Sequence, residues 1–225
     1  MDQIKLDDTA NAIMLTAKEE IGIQRFGLMS NYAWYDDPKR LAFHFSRYKF
    51  VSKMLSGRQN VLEVGCADAF GTRVVVQEVK NLVATDLEPA FINDVNERMS
   101  AKWKFKAIVH DILKAPISGV FDGIYSLDVL EHIYATDEDL FMQNIVASLA
   151  AHGVLIIGMP SLESQQYASK SSKEGHVNCK SGPDLKQFLA QYFHNVFLFS
   201  MNDEVVHTGY HGMAHYLIGL CCMKR

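Results

Sequence analysis

Cysteine is scarce in this chain: Cys66, Cys179, Cys221 and Cys222 are the only four in 225 residues. None stands in a C-x-x-C pair or at zinc-like spacing from histidine, so neither a disulfide framework nor a zinc module is indicated. They read as reduced structural cysteines, which suits a cytoplasmic protein. No apolar run approaches the roughly 18 residues that a membrane-spanning helix needs. The opening MDQIKLDDTAN carries early acids and no apolar core, so no signal peptide is expected. Excess positive charge is missing too. With 22 Lys and Arg against 26 Asp and Glu, the formal charge is -4 and the pI about 6.1, which speaks against a partner bound by neutralising phosphates. Short basic runs remain at Lys39-Arg40 and Arg47-Tyr48-Lys49. No internal repeat or low-complexity segment is visible.

What is present is an alternation. Strand-like runs fall at Val61–Gly65, Leu82–Asp86, Lys104–His110, Phe121–Leu127 and Val154–Met159, with helix candidates near 70–79, 89–101 and 137–150. Pro89 suits a first helical turn, and Thr136 with Asp139 suits a capping box. Continuous apolar strands separated by helices imply a mostly parallel sheet covered on both faces, a Rossmann-like doubly wound α/β fold. Ahead of it, residues 8–55 predict two helices outside the sheet. The second starts at Asp37-Pro38 and carries Leu41, Phe45, Tyr48 and Leu55 at helical spacing; the aromatic segment 31–37 is expected as the loop between them. After the fifth strand come a polar stretch over 161–182, a helix near 183–192 and strands near 195–200 and 214–222.

The run NVLEVGCADAFGTRVV, residues 60–75, is the most informative segment. A buried strand leads through a turn of tiny residues into a helix, which lets backbone N–H groups approach a ligand. Asp86 closes the next strand 21 positions after Gly65, where a carboxylate can accept ribose hydroxyls. The turn lacks the second and third glycines that pyrophosphate binding asks for. Asp128, Glu131 and His132, in YSLDVLEHI, fall at the carboxyl edge of the sheet, where ligands bind in open α/β folds.

The ordered series E-V-G-C-x-x-x-x-G, A-T-D-L, H-D-I, D-V-L-E-H and G-V-L-I-I-G-M-P, over about residues 58–160, closely resembles the motifs of class I S-adenosylmethionine-dependent methyltransferases. The resemblance implies a seven-stranded sheet with an antiparallel last strand. It divides the chain into N-terminal helices and aromatic loop (1–57), a cofactor core (58–160) and a substrate-side segment with a C-terminal hairpin (161–225), all one methyltransferase domain. It implies S-adenosyl-L-methionine as cofactor, with Glu63, Gly65 and Ala67 at its methionine end. Asp86 would hold the ribose, Leu87 would pack by the adenine, Asp111 and Ile112 would read the adenine amino group, and Ser126 and Leu127 would border the sulfonium. Ala67 and Ala69 stand where the family usually has glycine.

Methyl transfer to an alcohol needs a base, and His132 is the candidate, with Asp128 four residues earlier to orient it. An acid or phosphate acceptor would need none. Arg47, Tyr32, His176, His207, Tyr210 and His211 are the candidate substrate-binding residues, with Trp34 and Tyr35 as a lid or as packing. His207 and His211, i and i+4, with Asp203 nearby, have the residue types of metal ligands, but such loop histidines more often serve as hydrogen-bonders and no metal is expected. No N/D-P-P-Y motif and no Pro-Cys nucleophile occur, so the expected partner is a small-molecule acceptor, with no nucleic acid and no membrane, in a monomer or homodimer. Residues 31–55 resemble methyltransferases found among bacterial surface-polysaccharide genes, which implies O-methylation of a sugar, sugar nucleotide or phosphorylated precursor. The rivals are a nicotinamide-dependent oxidoreductase and a non-catalytic methyltransferase-like binding module.

Overall fold

A computed structural model describes residues 9–225 of the chain; the proposed absence of a signal peptide and the first residue of the expected N-terminal helical region lie outside them. Three helices come first: α1 (Thr9–Ile21), α2 (Leu28–Asp36) and α3 (Lys39–Met54). The strands are β1 (Asn60–Val64), β2 (Asn81–Asp86), β3 (Lys106–Val109), β4 (Phe121–Leu127), β5 (Leu149–Pro160), β6 (Phe193–Asn202), β7 (Val205–His207) and β8 (Tyr216–Lys224). Among them run α4 (Thr72–Val76), α5 (Pro89–Glu97), α6 (Glu138–Ser148), α7 (Lys170–Gly175) and α8 (Gly182–Ala190). The strands form one sheet in the order β3-β2-β1-β4-β5-β8-β6-β7. β1 to β5 pair in parallel, and β8 is antiparallel to both β5 and β6.

Alternation along the strands sends side chains to two apolar layers. Leu62, Val64, Ile124, Leu155 and Ile157 pack with α6 and α8 through Phe141, Ile145, Leu185 and Leu189. Val61, Tyr125 and Ile156 pack with α3, α4 and α5 through Val51, Val75, Ile92 and Val95. Both faces are therefore dry, which is why these strands read as unbroken apolar runs. No helix among the described residues is long and apolar enough to cross a membrane.

The structure departs from expectation at four places. The sheet has eight strands, because the β6–β8 connection contains the three-residue strand β7 paired to β6. Segment 31–37 is mostly helix α2 rather than loop, giving three N-terminal helices. Helix α6 starts after Asp137, which makes no side-chain cap, so the Thr136 capping box is not formed. Residues 130–132 make a 3₁₀ turn, not an α-helical one. Other starts follow local chemistry: Glu88 accepts the Ala90 N–H ahead of Pro89, and Ser181 accepts the Asp184 N–H. Asp37 accepts the Lys39 N–H at 3.3 Å at the start of α3.

Candidate active site

At the carboxyl ends of β1, β2 and β4 the chain turns away from the sheet around a cavity of about 840 Å³, within the range of small-molecule sites. Gly65 follows β1 with φ +78°, and a Cβ there would meet Val129 Cγ2 at 2.2 Å, so only glycine fits. Ala67 and Ala69 then take φ 47° and 49°, the left-handed region that glycine adopts freely. The turn is fastened to β2. Asp86 accepts the Ala67 N–H through Oδ2 at 2.7 Å and the Glu88 N–H through Oδ1 at 2.9 Å. Each oxygen keeps a second lone pair, and Asp86 lines the cavity together with Leu87, Asp111 and Ile112. Asp111 accepts the Leu113 N–H and lies 3.3 Å from the Lys114 ammonium.

The same turn reaches α2. Asp68 accepts the Ser30 N–H through Oδ2 at 2.7 Å, capping α2 across 38 positions of sequence, because Gly27 at the N-cap has no side chain to do so. A Cβ on Gly27 would lie 2.4 Å from that same oxygen. Met29, Ser30 and Ala33 thereby line the cavity. Trp34 stacks on Phe26, which meets Phe70, which meets Phe45, with ring separations of 5.7, 5.1 and 5.4 Å.

Glu63 is placed elsewhere. Strand alternation turns it toward α3, where it is 1% exposed and accepts hydrogen bonds from the hydroxyls of Tyr48, Thr72 and Tyr125 at 2.7, 2.6 and 2.8 Å. Burial pushes its carboxyl up to about 7, against the three hydroxyls that favour its ionised form. It braces β1 against α3 and α4 rather than lining the cavity. Ser126 is also buried, donating to the Val64 carbonyl, whereas its neighbour Leu127 lines the cavity.

The opposite end of the cavity is polar. α3 presents Arg40, His44 and Arg47 to it, spaced i, i+4 and i+7 on one helix face. Arg47 donates through one terminal nitrogen to both Asp128 oxygens at 2.8 Å, with its guanidinium 3.8 Å from the Tyr216 ring centroid. Asp128, with φ 58°, is thus engaged by Arg47. The Gly175 carbonyl holds His132 instead, 2.9 Å from Nδ1. His176 stands beside it, the ring centroids 5.2 Å apart, with Nδ1 2.8 Å from Gln165 Oε1. Burial and the neighbouring His132 hold His176 below the usual histidine range.

The structure therefore brings Gly65, Ala67, Asp86, Leu87, Asp111, Ile112, Leu127, Asp128, His132, Arg47 and His176 to one cavity. It does not bring Tyr32, which is 60% exposed on α2, nor the connection after β6. There His207 receives the Gly209 N–H at Nδ1 and faces Asn202 Oδ1 with Nε2. His211 packs against Gly182, and Tyr210 is exposed. Arg40 and His44 received no site role in the sequence reading, though their spacing from Arg47 marks them. Glu131 lines the cavity as well.

Residues 62–157 match a family model described as a methyltransferase domain. Over that segment the chain is similar to methyltransferase domains. Solved structures agree in fold. The N-methyltransferase NodS from Bradyrhizobium japonicum WM9, in complex with S-adenosyl-L-homocysteine, is 21% identical, with a TM-score of 0.63 over 84% of this chain and 89% of that one. A DhpI complex with SAM and HEP is 12% identical, with a TM-score of 0.62 over 98% of this chain and 99% of the other. The methyltransferase domain of bacterial CtHen1 is 10% identical, with a TM-score of 0.67 over 81% and 100%. A search of curated proteins finds no match.

Proposed function

We propose that the chain moves the methyl group of S-adenosylmethionine to an oxygen of a small polar acceptor: a sugar, sugar nucleotide or phosphorylated precursor of a surface polysaccharide. One observation carries this reading. A single cavity is lined both by Gly65, Asp86 and Asp111, where the motif series sets a nucleoside, and by the polar side chains of Arg47, His132 and His176.

The residues present fit the cofactor. Asp86 retains lone pairs for both ribose hydroxyls, Leu87 and Ile112 offer apolar surface for a base, and Asp111 offers a carboxylate for an exocyclic amine. Gly65 and the left-handed Ala67 keep the backbone low beneath the amino-acid end, and Leu127 borders the space between the two ends. The bound cofactor supplies an activated methyl group, so the protein's task is alignment and handling of the acceptor's proton. As an Nδ1–H donor to the Gly175 carbonyl, His132 keeps a lone pair on Nε2. That lone pair is what an alcohol acceptor needs, as a base for its proton or as a ligand to a cation that acidifies it. Arg40 and Arg47 also line the cavity, each paired with a carboxylate, Asp36 and Asp128, so a phosphorylated acceptor would meet only their remaining N–H groups.

Calorimetric titration tests the cofactor half, with S-adenosylhomocysteine binding and NADH not; tighter NADH binding would replace this reading with an oxidoreductase. Asp86→Ala should weaken S-adenosylhomocysteine at least about tenfold, the loss of one charge-assisted hydrogen-bonding group. Incubation of nucleotide sugars and phosphorylated sugars with isotopically labelled methyl donor tests the acceptor half. Cofactor binding with no label transferred to any of them would leave a binding module.

A further inference from the structure

We propose that Glu131, His132 and His176 bind one divalent transition-metal cation at the acceptor end of the cavity. The ion's use in methyl transfer rests on the reading above, whereas the site rests on its own geometry. One donor atom from each of the three residues lies within 4.8 Å of the other two. Side chains that share an ion, each about 2.0–2.2 Å from it, converge in this way.

A separate observation points to a ligand. Glu131 is 1% exposed, and its Oε2 is buried with no hydrogen-bond partner. A buried carboxylate is costly unless it is paired or coordinates a metal. The nearby cations are committed elsewhere: Arg47 to Asp128 and Lys180 to Glu138. The hydrogen bonds of both imidazoles also suit ligation. Nδ1 of His132 faces the Gly175 carbonyl and Nδ1 of His176 faces Gln165 Oε1. As Nδ1–H donors, both rings are fixed in the tautomer whose Nε2 lone pair is free, the arrangement that orients metal-bound histidines. The backbone holds the set together, because the Glu131 carbonyl accepts the N–H groups of both Val177 and Asn178. The loop bearing His176 is thereby tied to the residue preceding His132.

Two imidazoles and one carboxylate suit zinc, cobalt, nickel, iron or manganese better than magnesium or calcium, which favour all-oxygen sets. Three protein ligands leave coordination positions open. An acceptor hydroxyl bound at such a position loses its proton more readily, and the open side of this site is the cavity where the acceptor sits.

The test is a cobalt(II) titration of tag-free, chelator-treated protein followed by visible absorption, with S-adenosylhomocysteine calorimetry on the same samples. One equivalent of cobalt per chain should give a saturable ligand-field spectrum that zinc abolishes. Glu131→Gln, His132→Ala and His176→Ala should each weaken cobalt at least about tenfold, with S-adenosylhomocysteine affinity within about twofold of wild type. His132 and His176 are not buried, so their variants carry the test even where Glu131→Gln fails to fold. Absence of a saturable spectrum in wild type, or an unchanged spectrum in both histidine variants, overturns the metal site. Cobalt binding without S-adenosylhomocysteine binding upholds the site while removing the cofactor reading.

Discussion

Ala67 and Ala69 hold a left-handed backbone that costs an L-residue about 1–2 kcal/mol. Position 67 is the cleaner probe, since Ala69 is buried in the core. Ala67→Gly should raise stability by about 1 kcal/mol in urea unfolding, strain relief outweighing the greater freedom that glycine brings to the unfolded chain. Equal or lower stability would show that the turn is relaxed with alanine. Glu63 makes a second residue-scale prediction. Its folded pKa of about 7 lies above the ordinary 4.5, so the native state holds a proton that the unfolded chain releases earlier. Stability from this group is fully present below pH 4.5 and is lost as pH rises through 7, by roughly 3 kcal/mol for a shift of this size. Glu63→Gln should flatten that decline between pH 5 and 8. An unchanged decline would place the titration elsewhere.

Helix α2 owes its start to a carboxylate on the turn after β1 rather than to its own sequence. Asp68→Ala should cost about 1 kcal/mol, the usual worth of an N-cap, and should speed amide exchange over residues 28–36 more than in α3. Uniform exchange across both helices would show that the cap has no local effect. This is also why the segment read as a loop: no local cap announces the helix, and its partner is 38 positions away. Elements that carry their own signals were legible. The run Phe121–Leu127 is β4 residue for residue, and Pro89 opens α5. β7 is too short to show a period, and α6 passes into β5 at Leu149 without a glycine or proline stop. At the site, the order of motifs picked out Gly65, Asp86 and Asp111, which line one cavity. Spacing of four would set Asp128 beside His132 on a helical turn, but positive φ at Asp128 and the 3₁₀ turn after it separate the two. Glu63 was assigned by motif position, and the period of two in β1 decides which way it points.

For the whole molecule, ligand binding and folding are linked, because the cavity is walled by α2, α3 and the ends of three strands. S-adenosylhomocysteine at 100 times its Kd should add about 2.7 kcal/mol of stability, a Tm rise of roughly 5–10 °C for a chain of this size. A flat Tm under saturating ligand would mean that the unfolded chain binds it equally well. The sheet order holds a further consequence. β8 lies between β5 and β6 although it follows both in the chain, and its first residue, Tyr216, lies beneath the Arg47 guanidinium that grips Asp128. A nascent chain therefore cannot seat β6 against the sheet, or give Arg47 its aromatic floor, until β8 has left the ribosome. Its pocket is finished last.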